Sequence, residues 1–564
     1  MKIIIIGSVA AGTSVAAKAR RNTEDAEIVL YDKDMDVSYA VCGIPYAVGG
    51  EVENFDELTP RNAEWFKKRY DVDIHTSHEI TQVDYDKKLV HGINLVTKKS
   101  FTNNFDVLVL ATGSVYNTPE IFVNRHFENV FQVKNILSGK SIKKFVDENE
   151  PKKAVVIGAG YIGLEMAEQL QRLGLEVSLL QRSKYPMSHL DWDMSSRIIN
   201  EMKRKNIAFF PEETVRKVNG DGSLKSIETA KGTIFSADIF VLATGVKPNI
   251  ALAKSMGIKL GITGAIEVND KLETNLPNVY AVGDVAESFD RITRRPIYRP
   301  LASTANKMGR IAGDVITGGN LRHKGILGTG ILRFFDLTIA QTGLTEKDAL
   351  ANNIAITTLY NIKPNKPDYM NGKEMVIKAI ANKENGKILG AQIIGYDGVD
   401  KRIDVLATAI SFGAAAEDLF HLDLAYAPPF STTKDPIHYT GMALNNDINN
   451  DTPLMTPIEL LRRIDGGEKL QIIDTRSRKQ FETAKVEGAI HIPLAELRDR
   501  YEELDKECVT VTYCNKGVTG NAAQNILLNK GFKQVYNLSG GNKNYQEVLS
   551  LIHISEPTRL QLIS

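Results

Sequence analysis

The chain is 564 residues long, well beyond the roughly 250–300 residues at which one hydrophobic core stops growing, so it must divide into three or four domains. Its 69 basic side chains balance 69 acidic ones and 43% of its residues are apolar, which excludes a disordered or polyelectrolyte chain and gives no electrostatic handle for nucleic acid. No apolar run approaches the roughly 20 residues that span a bilayer, and the apolar start breaks at Gly7 without a cleavable signal layout, so a cytoplasmic protein with no membrane part is expected.

Residues 2–32 read as one strand–helix–strand unit: an apolar run, the turn GSVAAG, an Ala/Lys/Arg stretch compatible with helix, and the strand AEIVLYD. The turn keeps Gly7 and Gly12 of a dinucleotide-binding loop but has Val9 at the middle glycine. Asp32 ends the second strand, where an acid can accept hydrogen bonds from ribose hydroxyls. Cys42 follows in SYAVCGIPYAVGG, ahead of Gly43 and Pro45, which force a turn. A cysteine is by default a buried packing residue; beside a nucleotide site a nucleophilic role becomes the stronger reading.

DVLVLATG (106–113) and DIFVLATG (238–245) form an internal repeat. Between them, AVVIGAGYIGLEMAEQLQRLGLEVSLL (154–180) repeats the first unit's grammar, with Gly158, Gly160 and Gly163 matching GxGxxG after a strand and at the start of a helix. The three glycines serve a tight turn, close pyrophosphate approach and helix packing, and the helix N-terminus faces the phosphates. Where an acid would select NADH, this unit ends in Gln181-Arg182. That pair either accepts a 2′-phosphate, allowing NADPH or both nicotinamides, or leaves Arg182 as a solvated surface charge.

NVYAVGD (278–284) ends a strand at Gly283-Asp284, a second cofactor contact, and PLASTANKMGRIAGDVI then reads as helix. From Gly325 to Leu444 the pattern turns to alternating strands followed by a helix at RIDVLATAISFG, an α+β dimerisation-type domain. The polar NNDINNDTP (445–453) reads as a linker, with a further domain starting near Leu454. The last residues break the pattern and are set aside as a disordered or extraneous tail. Three cysteines, Cys42, Cys508 and Cys514, are too few and too scattered for a disulfide framework or a paired-cysteine metal site; no metal is expected. Cys508 matches no functional motif and reads as structural.

Taken together, GSVAAG, SYAVCGIPY, LATGS, GAGYIGLE, LATGVKPN, YAVGD and DLAYAPPFSTTKDP resemble the single-cysteine branch of the pyridine nucleotide-disulfide oxidoreductases, most closely the coenzyme A-disulfide reductases fused to a rhodanese domain. IIDTR, FETAKVEGAIHIPLAEL, VTVTYCNKGVTGNAAQNILLNKGF and VYNLSGG carry the rhodanese part. The resemblance covers essentially residues 1–550 and implies an α/β chain of two Rossmann-like FAD and NAD(P) domains, an α+β dimerisation domain and an α/β rhodanese domain. The expected boundaries are 1–115 with 246–324 for FAD, 116–245 for NAD(P)H, 325–444 for dimerisation, 445–453 for the linker, 454–550 for rhodanese and 551–564 for the tail.

By the same resemblance FAD is held by Gly7, Val9, Ala10, Gly12, Asp32, Lys33, Ala111, Thr112, Gly113, Gly283, Asp284 and Ala302. NADPH or NADH is held by Gly158, Gly160, Tyr161, Ile162, Gly163, Gln181, Arg182 and Gly245. Coenzyme A phosphates meet Ser14, Lys18, Arg21, Ser38, Arg61 and Asn306. Cys42 forms a mixed disulfide with coenzyme A, and Tyr426 with Tyr369 reaches it from the other subunit of a homodimer, where a hydroxyl can protonate the leaving thiolate. The implied activity is reduction of coenzyme A disulfide, and of coenzyme A persulfide or polysulfide, by an oxidoreductase acting on sulfur.

Cys514 opens the loop CNKGVTG before a helix, which aims backbone N–H groups inward to cradle a persulfide. Many rhodaneses carry an arginine in this loop; Thr519 takes its place here and leaves Lys516 to compensate, which speaks against thiosulfate sulfurtransferase activity. Two other functions compete. NADH oxidases and peroxidases of this branch use a cysteine sulfenic acid and carry a histidine where this chain has Ala10. In the other, a sulfur carrier would work through Cys514 with a merely structural flavin.

Overall fold

The computed structural model describes residues 1–449 and 451–555 and divides them into two units, Met1–Met187 with Met202–Gly328, and Ser188–Glu201 with Thr329 onward.

The first unit holds two five-stranded parallel sheets of the same design. One orders its strands as Val279–Ala281, Val107–Leu110, Lys2–Ile6, Glu27–Tyr31 and Asp73–His75. The other runs Ala208–Pro211, Glu176–Gln181, Lys153–Ile157, Ile239–Leu242 and Val130–Phe131. Ile3, Ile4, Ile5 and Val155, Val156 are buried, as expected of strands covered on both faces, which read as unbroken apolar runs. The sequence repeat takes equivalent places, since Val107–Leu110 and Ile239–Leu242 each flank the first strand of their own sheet. Helix Ala302–Ile316 packs along helix Ala10–Asn22, with Gly309 and Gly313 allowing backbone-to-backbone approach.

In the second unit an antiparallel sheet runs Gly330–Phe334, Leu337–Gly343, Ile388–Gly395, Glu374–Asn382, Ile356–Pro364. A five-stranded parallel sheet follows, ordered Leu454–Met455, Val535–Leu538, Val509–Tyr513, Leu470–Asp474, Ile490–His491. Parallel strands need crossovers, and helices such as Val518–Asn529 supply them.

Three boundaries differ from the sequence reading. Residues 445–449 are not linker but the end of helix Pro436–Asn449, which buries Ile437, Thr440, Gly441 and Leu444; packing of that face outweighs the middling helix propensity of asparagine. The same polar residues then tie the next domain down, with Leu454 N donating to Asp447 Oδ1 at 2.7 Å and Thr452 Oγ1 to the Asn446 carbonyl at 2.9 Å. At the C-terminus a helix runs Gly541–Ser555, past the expected limit of 550, and residues 556–564 of the expected tail lie outside the described residues. Finally, 188–201 group with the second unit rather than with 116–245.

An ion cluster explains that last assignment. The Lys378 ammonium, fully buried in strand Glu374–Asn382, lies 2.9 Å from Asp193, 3.1 Å from Asp191 and 2.8 Å from Glu346, and Gln392 Nε2 donates to Asp191 Oδ2 at 2.6 Å. Burial alone would pull the Lys378 pKa down, but Asp193, Tyr360, Asp191 and Glu346 together hold it well above the ordinary value. Removing the cation would strand the buried carboxylates. Lys378→Met should therefore lower unfolding stability at pH 7 by about 3–5 kcal/mol in a urea titration; a loss below about 1 kcal/mol, the range of an exposed pair, would contradict this account.

Candidate active sites

Each glycine turn is dictated by backbone contact. Gly7 has φ +111° and Gly158 φ +109°, a region costly for any residue with a side chain. A Cβ at Gly12 would lie 1.9 Å from the Gly7 carbonyl, and one at Gly163 1.8 Å from that of Gly158, so helix and turn can touch only without side chains. Around Gly160 a Cβ would meet nothing within 4 Å; that open space suits a pyrophosphate. In the first turn Val9 takes the N-cap position of Ala10–Asn22, whose first turn carries no acidic side chain and leaves the helix amides free to face phosphate.

Asp32 stands where the ribose reading expects an acid, and two donors from a residue not singled out before hold it there: Ser8 N at 2.7 Å and Ser8 Oγ at 2.8 Å to Oδ2, with Asp34 N at 3.0 Å to Oδ1. Burial raises its pKa more than these hydrogen bonds lower it. In the second parallel sheet of the same unit Gln181 makes the matching contact, its Oε1 accepting from Ala159 N at 3.2 Å, while Arg182 is exposed beside it. Gly245 has φ +89°, and Tyr161, which opens its helix with Ile162, has its phenol pushed up to about 12, chiefly by burial.

Strand ends bring the remaining FAD candidates together. Ala111 N donates to the Ile6 carbonyl, the Ala111 carbonyl lies 2.2 Å from where a Gly7 Cβ would be, and Gly283 packs against Ala11 and Ala305. Thr112 Oγ1 donates to the Asn249 carbonyl at 2.9 Å, and Gly113 has φ +66°. Ser114 Oγ donates to Asp284 Oδ2 at 3.3 Å, and burial raises the Asp284 pKa. Beside it the buried Tyr298 hydroxyl has no hydrogen-bond partner among the described residues, and its pKa is raised by burial and then by the Asp284 charge. An orphaned donor, an acid, an open helix end and a side-chain-free turn together fit FAD. Lys33, exposed, follows Asp32 beyond the strand's end at Tyr31, and Ala302 opens the Ala302–Ile316 helix, its carbonyl accepting from Asn306 Nδ2 at 3.1 Å.

Cys42 lies in a single helical turn, Val41–Gly43, leading into Ile44–Val48. Gly43 presses on Leu58, and Ile44 is wholly buried, so the turn is anchored on both sides of the sulfur. Water reaches Cys42, yet surrounding protein desolvates its sulfur enough to be the largest upward push on the thiol, followed by the charges of Glu165 and Asp284. Glu165, another residue the sequence did not mark, lies on the nicotinamide unit's helix and accepts from Tyr46 OH at 3.2 Å. Cys42 thus faces one acid from each nucleotide unit.

The coenzyme A candidates separate into groups. Ser14 Oγ donates to Asn306 Oδ1 at 2.7 Å, joining the two packed helices. Lys18 pairs with Asp314 at 3.0 Å, Arg21 donates to Tyr70 OH at 2.8 Å, and Arg61 stacks 5.1 Å from the Trp65 ring centre. Ser38 has φ +50° and its amide donates to the Ser8 carbonyl, which places it at the glycine turn.

In the second unit Tyr369 and Tyr426 are 74% and 47% exposed, so neither is a core aromatic. The Tyr426 loop is fixed at its far end by buried Arg402, which donates to Asp435 Oδ2 at 2.7 Å and to Ser431 Oγ at 3.1 Å.

Cys514, buried, follows strand Val509–Tyr513, and its sulfur accepts from Gly517 N at 3.2 Å. Gly517 has φ +102°, which bends the loop back over the sulfur before helix Val518–Asn529. Asn542 N donates to the Cys514 carbonyl and Lys543 N to that of Asn515, so the start of helix Gly541–Ser555 holds the loop. Thr519 lies within the helix. Cys508 donates weakly to the Lys469 carbonyl at 3.4 Å, in keeping with a structural role. Among the described residues no group of acidic, His and Cys side chains could hold a metal ion, and no helix is long and apolar enough to cross a membrane.

Compared with known proteins, residues 1–309 match the pyridine nucleotide-disulphide oxidoreductase family, 331–436 its dimerisation domain, and 456–548 the rhodanese-like domain. A Methanocaldococcus jannaschii protein named NADH oxidase is 36% identical over 78% of this chain and 97% of its own. The NAD(P)H coenzyme A polysulfide/persulfide reductase of Pyrococcus horikoshii is 35% identical over 77% of this chain and 96% of its own. The crystal structure of reduced Bacillus anthracis CoADR-RHD superposes with a TM-score of 0.94 at 36% identity, covering 98% of both chains. The chain belongs to the pyridine nucleotide-disulphide oxidoreductase family and carries that family's dimerisation domain and a C-terminal rhodanese domain.

Proposed function

We propose that the protein is an FAD-dependent NAD(P)H:coenzyme A-disulfide reductase that also reduces coenzyme A persulfide or polysulfide, acting as a homodimer in which Tyr369 and Tyr426 serve the partner's Cys42. The observation that carries this reading is the position of Cys42 on an anchored turn, facing one acid from each nucleotide unit. FAD, when bound, supplies the means of turning a nicotinamide hydride into an electron pair for sulfur.

The Cys42 thiolate attacks one sulfur of the disulfide, one coenzyme A thiolate leaves, and a mixed disulfide remains. Two electrons from NAD(P)H and one proton then release the second coenzyme A thiol and restore the Cys42 thiolate. With a persulfide, the same attack releases the outer sulfur as sulfide. The tyrosine hydroxyls give or take the proton at the departing thiolate. Ser14, Lys18, Arg21, Ser38, Arg61 and Asn306 serve the coenzyme A phosphates, with Lys18 exchanging Asp314 for ligand. Cys514 takes up sulfane sulfur and couples the rhodanese domain to this chemistry. The oxidase reading draws on the M. jannaschii name, but Ala10 supplies no proton-handling side chain to a sulfenic acid.

Three measurements follow from this reading. Anaerobically reduced wild type should be reoxidised by coenzyme A disulfide and by coenzyme A persulfide, and Cys42→Ser should lose at least about 100-fold of that turnover while keeping FAD; retained turnover would falsify the assignment. Because burial and two carboxylates raise the thiol pKa, the thiolate is scarce at neutral pH and gains only as pH rises. In FAD-stripped protein, alkylation of the Cys42 peptide should half-rise above the ordinary thiol value of about 8.5, and Glu165→Gln should move that half-rise down; an unchanged midpoint would remove Glu165 from the site. Arg182→Ala should raise the KM for NADPH about tenfold and spare NADH, whereas equal effects on both would make Arg182 a surface charge.

A further inference from the structure

The dimerisation sheet and the Cys514 loop are joined within the second unit by direct contacts. Tyr360 N, in strand Ile356–Pro364, donates to Ser539 Oγ at 2.8 Å in a buried hydrogen bond. Ser539 stands just ahead of helix Gly541–Ser555, whose first residues hold the loop by its Cys514 and Asn515 carbonyls. Glu374 opens the adjoining strand Glu374–Asn382, opposite Pro364. Its Oε1 pairs with Lys516 of the loop and its Oε2 with Lys543 of the helix, so both oxygens of one carboxylate are engaged by the two segments that frame the sulfur.

Lys516 is the charged residue of the loop CNKGVTG. Its backbone lies against the sulfur, because Gly517 N, which is bonded to the Lys516 carbonyl carbon, donates to Cys514 Sγ at 3.2 Å. Burial pushes the Glu374 pKa up, but the hydrogen bonds and charges of Lys516 and Lys543 outweigh it and hold the carboxyl below its ordinary value. Glu374 is therefore ionised at neutral pH and the pairing persists. An ammonium already paired with a carboxylate offers an approaching anion little net attraction, since the carboxylate repels that anion from nearly the same place.

We propose that Glu374, contributed by the dimerisation domain, is a specificity-determining residue of the Cys514 site. By holding Lys516 it withholds the loop's cation and selects against small anionic sulfane-sulfur donors such as thiosulfate. The assignment rests on the reading of Cys514 as a sulfur acceptor. With Lys516 released and thiosulfate as donor, the Cys514 thiolate attacks the outer sulfur, the Cys514–sulfur bond forms, the donor S–S bond breaks, and sulfite leaves with the electron pair. Cyanide then takes the outer sulfur of the persulfide as thiocyanate and restores the thiolate, and no outside oxidant or reductant takes part.

The test uses the full-length holoenzyme and two alkylating reagents that differ in charge, iodoacetate and iodoacetamide, with the Cys514 peptide followed by mass spectrometry. Glu374→Gln should raise the ratio of the iodoacetate rate to the iodoacetamide rate about fivefold, and molar salt should remove most of that gain. Adding Lys516→Gln to Glu374→Gln should return the ratio to that of wild type, and cooperative thermal unfolding reports that the variants are folded. A ratio within about 1.5-fold of wild type overturns the assignment. So does a gain that survives the loss of Lys516, or a Glu374→Gln protein in which both reagents react faster by the same factor, which marks a loosened loop. Sulfur transfer from thiosulfate to cyanide, measured on the same samples, separates the two levels. Glu374→Gln should raise kcat/KM for thiosulfate about fivefold over wild type, and Cys514→Ser should abolish transfer. If Glu374→Gln transfers no sulfur, or if transfer survives Cys514→Ser, the sulfur-acceptor reading falls and this assignment with it, whereas Cys514-dependent transfer no faster in Glu374→Gln than in wild type overturns the assignment alone.

Discussion

The two nucleotide units depend on one steric constraint, the contact of a helix's first turn with the turn that precedes it. At Gly12 against Gly7 and at Gly163 against Gly158 the backbones sit closer than any Cβ allows. That contact sets the helix axis so that free amides look out over the strand ends. Everything else at the two sites is hung from those ends: Asp32 and Gln181 on the second strands, the Ala111–Gly113 and Ala243–Gly245 turns on the repeated strands, and Gly283-Asp284 on the last. Val9 is tolerated in place of the middle glycine because its position caps the helix and lies outside the backbone contact.

Cys42 stands in surroundings that oppose its ionisation. Desolvation and two carboxylates favour the thiol. Tyr298 shows the same logic from the donor side, since a buried hydroxyl without a partner is costly until something accepts from it.

In the second unit charge does the joining. Lys378 gathers Asp191, Asp193 and Glu346 and so pulls residues 188–201 onto the dimerisation sheet. Glu374 ties that sheet to the rhodanese domain through Lys516 of the Cys514 loop and Lys543 of helix Gly541–Ser555, and the polar end of helix Pro436–Asn449 holds the first rhodanese strand. A rhodanese domain fastened this way has the Cys514 loop tied through Lys516 to a side chain of its neighbour.

The sequence by itself determined the parallel sheets, the glycine turns and the two strand–helix–strand units, and singled out Cys42 and Cys514 as candidates, because these follow from local rules: apolar periodicity, side-chain-free turns, and a thiol set at the start of a helix. Only the tertiary structure decided that Ser8 holds Asp32, that Tyr46 meets Glu165, that residues 445–449 are helix, and that Glu374 meets Lys516 of the Cys514 loop. Each of these joins residues far apart in the chain or turns on packing of a face, and a glutamate or lysine on one strand carries no local mark of which distant side chain it will meet.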